Sequence, residues 1–183
     1  MDTNVLANLA NEDHSQYLSF FIADEEFAVK ILKAREILEY GTVTKVPGAP
    51  PTVRGVINLR GSVVPVVDLA LKFGLPEREV TKRTCVVIVE VVQGEEKTTM
   101  GVIVDSISQV VELPQEQIEP APDFGTKVKL EYLLGMGRSG KKFVMVLDID
   151  KALSPSELSS VTAIAGQAAA EAAPEGAGAR QGD

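Results

Sequence analysis

Histidine and cysteine each occur once in the 183 residues, tryptophan does not occur, and aromatic residues make up 5%. Each shortage closes a class of function. A single thiol, Cys85, forms no internal disulfide, which suits a reducing compartment. One His and one Cys do not furnish the usual zinc sites. A Ser-His or Cys-His couple needs a base that the fold holds within hydrogen-bond reach, whereas His14 stands in a polar N-terminal stretch that reads as mobile. Cys85 lies in the run Cys85-Val86-Val87-Ile88-Val89 with no base in evidence and reads as a small buried hydrophobe. No Gly-rich loop precedes a helix in the manner of a phosphate or dinucleotide site. Basic residues are in deficit, 18 Lys and Arg against 26 Asp and Glu, a net charge of −8. That balance disfavours nucleic acid and anionic membranes as partners. No run approaches the roughly 20 apolar residues of a membrane helix, and the first residues lack the pattern of a signal peptide. The chain is expected to be cytoplasmic, non-enzymatic, and without metal or cofactor.

What is present is rich in Val and Ile and reads as strands. The stretch from Val53 to Leu69 predicts a β-hairpin: one arm ends at Leu59, the turn is Arg60-Gly61 with Gly61 supplying positive φ, and the second arm runs from Val63 to Val67. Neither arm alternates with polar residues, so both faces are expected to be covered. Upstream, Tyr17 to Ile22 predicts a strand, Asp24-Glu25-Glu26 a turn, and Phe27, Val29 and Ile31 the return. The spacing of Ile31, Ala34, Ile37 and Leu38 predicts a short helical or irregular step. Residues 41 to 52 read as a Pro/Gly loop. Asp68 caps a short helix that Gly74 and Pro76 end.

After a charged connector at residues 76 to 84, the pattern resumes. Thr84 to Val92 and Met100 to Val104 flank a turn, apolar residues continue to 113, and a loop follows. A hairpin around Ser139-Gly140 then leads through Asp148 into another short helix. Ser154-Pro155-Ser156-Glu157 is a capping box that opens a C-terminal helix toward Ile164. The Ala/Gly-rich remainder reads as disordered.

The two halves repeat. Gly55 matches Gly135, and Val64-Pro65-Val66-Val67-Asp68-Leu69 matches Val144-Met145-Val146-Leu147-Asp148-Ile149, both at an offset of 80. Val29, Ile31, Ala34 and Ile37 match Val102, Val104, Ile107 and Val110 at an offset of 73. Each unit holds about five short strands, enough for a small barrel. Two barrels sharing a core would explain the missing polar alternation.

Two constellations bear on chemistry. Asp68 and Asp148 form a symmetric carboxylate pair, readable as a hydrolytic dyad or as two helix caps; their place between strand and helix favours caps. Arg60 is a charge at the tip of the most apolar hairpin, readable as a solvated turn residue or as an interface anchor fixed by Glu36. An oligonucleotide-binding barrel would need a basic, aromatic-lined face, which the composition does not supply.

Gly55-Val56-Ile57-Asn58-Leu59-Arg60-Gly61, the Val64 to Leu69 segment, Ile31-Leu32-Lys33-Ala34-Arg35-Glu36-Ile37 and Gln117-Ile118-Glu119-Pro120-Ala121-Pro122 together resemble the CheW family of chemotaxis coupling proteins, over about residues 16 to 158. The resemblance implies a mainly β fold of two SH3-like five-stranded barrels, approximately 16–75 and 84–153, intertwined around a shared core. Residues 1–15 would be a flexible segment, and 159–183 the helix end and tail. It implies a scaffold that binds the regulatory domain of a CheA-type histidine kinase and the cytoplasmic signalling tip of chemoreceptors, with other copies of the adaptor as further neighbours in membrane-associated arrays. A non-flagellar pathway, serving pili or another output, is the alternative setting. By position, Ile31, Ala34, Glu36, Gly55 and Arg60 would face the receptor. Val87, Val104 and Ile107 would lie at a kinase-binding or second-barrel interface.

Overall fold

The computed structural model describes residues 16–120 and 130–153. His14, the capping box at Ser154 and the tail lie outside the described residues. Strands β1 (Gln16–Ile22) and β2 (Glu25–Lys30) form a hairpin. A 3-10 turn, Ile31–Lys33, leads to β3 (Ala34–Glu39). β4 (Val53–Leu59) and β5 (Ser62–Asp68) form the next hairpin, followed by helix α1 (Leu69–Lys72). The second half repeats this order with β6 (Cys85–Gln93), β7 (Glu96–Val104), β8 (Ser106–Glu112), β9 (Leu133–Ser139), β10 (Lys142–Leu147) and α2 (Ile149–Ala152). None of these helices is long and apolar enough to cross a membrane.

Two local expectations change. The step at Ile31 to Leu38 is a single 3-10 turn and then a strand. Ala34 and Glu36 are its buried positions, and a glutamate at an inward position hides the two-residue period. Glu25 and Glu26 open β2 rather than forming the turn. The turn is Ala23-Asp24, both left-handed at φ 53° and 70°.

The strands make two five-stranded sheets, ordered β8-β1-β2-β10-β9 and β3-β6-β7-β5-β4, each curled into a small barrel. The sheets do not divide the chain at the connector as 16–75 and 84–153. If β1 to β5 are matched with β6 to β10, one order maps onto the other. Each barrel therefore takes the first hairpin of one repeat and the last three strands of the other. The parallel contacts that join them carry both offsets: Val146 pairs with Ala28 and Val66 with Gly101, where Val146 lies 80 residues after Val66 and Gly101 lies 73 after Ala28. Both faces of these strands are apolar, and the paired barrels bury both. On β6, Val87, Val89 and Val91 enter the core shared by the barrels, while Val86 and Ile88 fill the interior of one barrel. Val144 and Val146 fill the other, with Met145 and Leu147 in the shared core. Full burial of each such side chain contributes about 1.5–3 kcal/mol.

Gly55 and Gly135 mark where each barrel closes. The segment after β3 bridges Thr44 to Val56 on β4, and the equivalent loop bridges Glu119 to Met136 on β9. A Cβ at Gly55 would fall 2.2 Å from the Thr44 carbonyl oxygen, and one at Gly135 2.6 Å from that of Glu119. Only glycine admits this approach, at φ values of 155° and 157°.

Candidate functional site: the Arg60 clamp

Leu59 pairs with Ser62, so the turn between β4 and β5 is the two residues Arg60-Gly61. Both are left-handed, at φ 52° and 88°, the pattern of a type I′ turn. Positive φ belongs to Arg60 as well as to Gly61, and for a non-glycine residue it costs about 1–2 kcal/mol. Asn58 braces the turn, its Oδ1 accepting from the Gly61 N–H at 3.0 Å. The conformation delivers the guanidinium to Glu36 on β3. Arg60 Nη1 and Nη2 donate to Glu36 Oε1 and Oε2 at 2.8 and 2.7 Å.

β3 and β4 are the two edges of their sheet, so this fork-to-fork pair spans the seam of the barrel. The Glu36 side chain is sheltered at 11% exposure, whereas that of Arg60 is 67% exposed. The hydrogen bonds to Glu36, and then its charge, hold the guanidinium above its ordinary pKa. A planar group with one edge fixed and its remaining N–H donors open can recognise a carboxylate or backbone carbonyl on a partner.

The other expected receptor-facing residues support this clamp from inside. Ile31 and Ala34 are buried in the shared core, and Gly55 is wedged against Thr44. Their side chains offer no outer surface. Val87 and Val104 are fully buried on β6 and β7. That corrects their reading as contact residues, because their faces of the strands point into the shared core. Ile107 is half-buried on β8, in the other sheet, so these three residues do not make one surface on one barrel.

Asp68 and Asp148 are helix caps. Asp68 Oδ1 accepts from the Ala70 and Leu71 N–H groups at 3.0 and 3.3 Å. Asp148 Oδ1 accepts from the Lys151 N–H at 3.4 Å. The Cys85 thiol donates to the Arg83 carbonyl oxygen at 3.3 Å. Burial first, and then the Glu39 charge, raise its pKa, which keeps it protonated rather than nucleophilic. Among the described residues no group of three His, Cys, Asp or Glu side chains is placed to hold a metal ion.

Sequence reasoning missed Arg54. Its guanidinium pairs with Asp68, lies 3.3 Å from the Tyr40 hydroxyl and 3.4 Å from Glu77. Burial lowers its pKa, but the Asp68 bond and charge, aided by Tyr40, outweigh this and raise it. The available signal was a charge inside an apolar strand whose repeat counterpart is Leu134.

A paired barrel with a clamped surface arginine, and with Asp68 and Asp148 engaged as helix caps, has the build of a scaffold. The chain belongs to the CheW family: the CheW-like domain matches residues 16–157. It is 37% identical over 161 residues to chemotaxis protein CheW of Klebsiella aerogenes, across 87% of this chain and 95% of that one. It is 33% identical to chemotaxis protein CheW of Helicobacter pylori, across 78% and 84%. The fold is similar to that of the scaffolding protein TtCheW from Thermoanaerobacter tengcongensis, with a TM-score of 0.70 at 27% identity, over 79% of this chain and 91% of that one.

Proposed function

We propose that this scaffold couples chemoreceptors to a CheA-type histidine kinase, and that the rim carrying Arg60 and Glu36 is its receptor-facing side. The observation that supports this reading is the exposed guanidinium held rigidly by a sheltered carboxylate. An arginine whose geometry is fixed before binding loses little further entropy on contact, and such residues anchor interfaces. Ile31, Ala34 and Gly55 act by holding the edge strands β3 and β4 in place beneath it. The role is positional: the adaptor is recruited to receptor arrays at the membrane and keeps the kinase where receptor state can bias it.

Arg60→Glu tests the reading. With purified components, the variant is expected to keep its far-UV circular dichroism and to bind a receptor signalling fragment at least about tenfold more weakly, a loss of about 1.4 kcal/mol. Unchanged affinity for both receptor fragment and kinase would remove Arg60 from the interface.

A further inference from the structure

The two barrels carry equivalent β-bulges with different side chains. On β4 the register slips at Arg54, between Val53 paired with Val67 and Gly55 paired with Val66. On β9 it slips at Leu134, between Leu133 paired with Leu147 and Gly135 paired with Val146. The same backbone bond accompanies each: Asp68 N–H donates to Thr52 O, and Asp148 N–H to Tyr132 O, both at 2.8 Å. A bulge re-aims the side chain it carries. Arg54 is aimed across at Asp68, and that pair is largely withdrawn from solvent, at 15% and 3% side-chain exposure.

At the second bulge no described residue takes the place of the Arg54 guanidinium. Leu134 is 45% exposed, and among the described residues the Asp148 side chain has one long hydrogen bond where Asp68 has two amides and a guanidinium. An open groove runs beside it, lined by Leu134, Leu147 and Ile149 together with Lys30, Lys33 and Asp150. Lys33 is neutralised by Asp150 at 2.8 Å.

We propose that this groove receives an arginine side chain from a partner protein. The guanidinium pairs with Asp148 as Arg54 pairs with Asp68, and the aliphatic stem lies along Leu134. A carboxylate beside an apolar wall matches the two ends of an arginine side chain, and a chain of net charge −8 draws basic segments toward it. Lys30 is the opposing charge. A lysine, Lys45, also lines the groove at Arg54, together with Glu77, and the pair with Asp68 forms there. The inference stands apart from the assignment of receptor and kinase, since it rests on a pairing within the chain.

The test is a titration of the full chain with N-acetyl-arginine methylamide, followed by amide NMR, with the norleucine analogue as control. Saturable shifts are expected at Leu134, Asp148 and Ile149 with the arginine compound only. They are expected to disappear in Asp148→Asn, which retains a capping side chain, and in Leu134→Arg, whose own guanidinium fills the groove. Equal shifts from norleucine, or shifts that persist in Asp148→Asn, overturn the proposal. Two other occupants are read in the same spectra. Ligand-free shifts at these amides in Arg180→Gln would assign the groove to this chain's own C-terminal arginine. Shifts that depend on protein concentration would assign it to a second copy. Either result overturns a separate partner.

Discussion

Glu36 and Arg60 stand on opposite edges of one five-stranded sheet, and their paired hydrogen bonds cross the seam where that sheet closes. Among the described residues the other barrel has no such clasp. The residue 73 after Glu36 is Gln109 and the residue 80 after Arg60 is Gly140, so its equivalent rim carries no charge pair. Closing a barrel of this build therefore does not by itself require such a pair.

Exchanging the two charges separates closure from recognition. Glu36→Arg with Arg60→Glu restores opposite charges across the seam but turns a carboxylate outward. The double variant is expected to melt closer to the wild type than Arg60→Glu alone does, while receptor-fragment binding stays lost. Recovery of binding along with melting temperature would make the pair purely structural.

Val87 tests the correction made to the expected interface. Val87→Ala removes two buried methyl groups from the shared core and is expected to cost about 1–3 kcal/mol in urea unfolding. At temperatures where the variant is fully folded, its affinity for a kinase regulatory domain should match that of the wild type. Weaker binding by the folded variant would return Val87 to the interface.

The two capping aspartates should respond unequally to the same change. Asp68→Asn keeps a capping side chain but leaves Arg54 without its main counter-charge. A loss near 3 kcal/mol is expected, at the low end for a broken buried pair because Arg54 keeps some exposure and the more distant Glu77. Asp148→Asn should stay within about 0.5 kcal/mol of the wild type. Equal losses in chemical denaturation would show that capping, not the ion pair, dominates at both sites.

Alkali should unfold the protein through two groups. Burial raises the pKa of Tyr17, and burial with the Glu39 charge raises that of Cys85, from ordinary values of 10.0 and 9.0. Groups with a raised folded pKa contribute fully below the unfolded value and lose that contribution as pH rises through the folded one. Stability is expected to hold through neutral pH and to fall from about pH 9 upward. Cys85→Ala should delay the onset of the fall, and Tyr17→Phe should reduce its later part. A pH profile unchanged in both variants would reassign it to other groups.

The hairpins, the duplication and both caps were legible in the sequence because each is a local pattern: runs of Val and Ile, a turn glycine, an Asp between strand and helix. The exchange of hairpins between barrels was not, because strand pairing across tens of residues leaves no mark in short-range periodicity. β3 was obscured by one residue, Glu36, whose inward place makes the strand look irregular. The clamp was half legible. Glu36 and Arg60 could be proposed as partners, but the left-handed backbone at Arg60 departs from the Asn-Gly preference of such turns. Val87 and Val104 misled for a different reason. In strands apolar on both faces, composition does not tell the shared core from an outer surface.

The crossed assembly of the barrels has a consequence for how the chain is made. Neither barrel can be completed from one repeat: the first waits for β8 to β10, and the second borrows β3 to β5. Synthesis from the N-terminus therefore yields no finished barrel until β7 has emerged, and none with β1 and β2 until β10 has. The polypeptide has the form of a strand-swapped dimer written as a single chain, with residues 76 to 84 as the covalent link. Cutting that link should leave two fragments that fold only in each other's company.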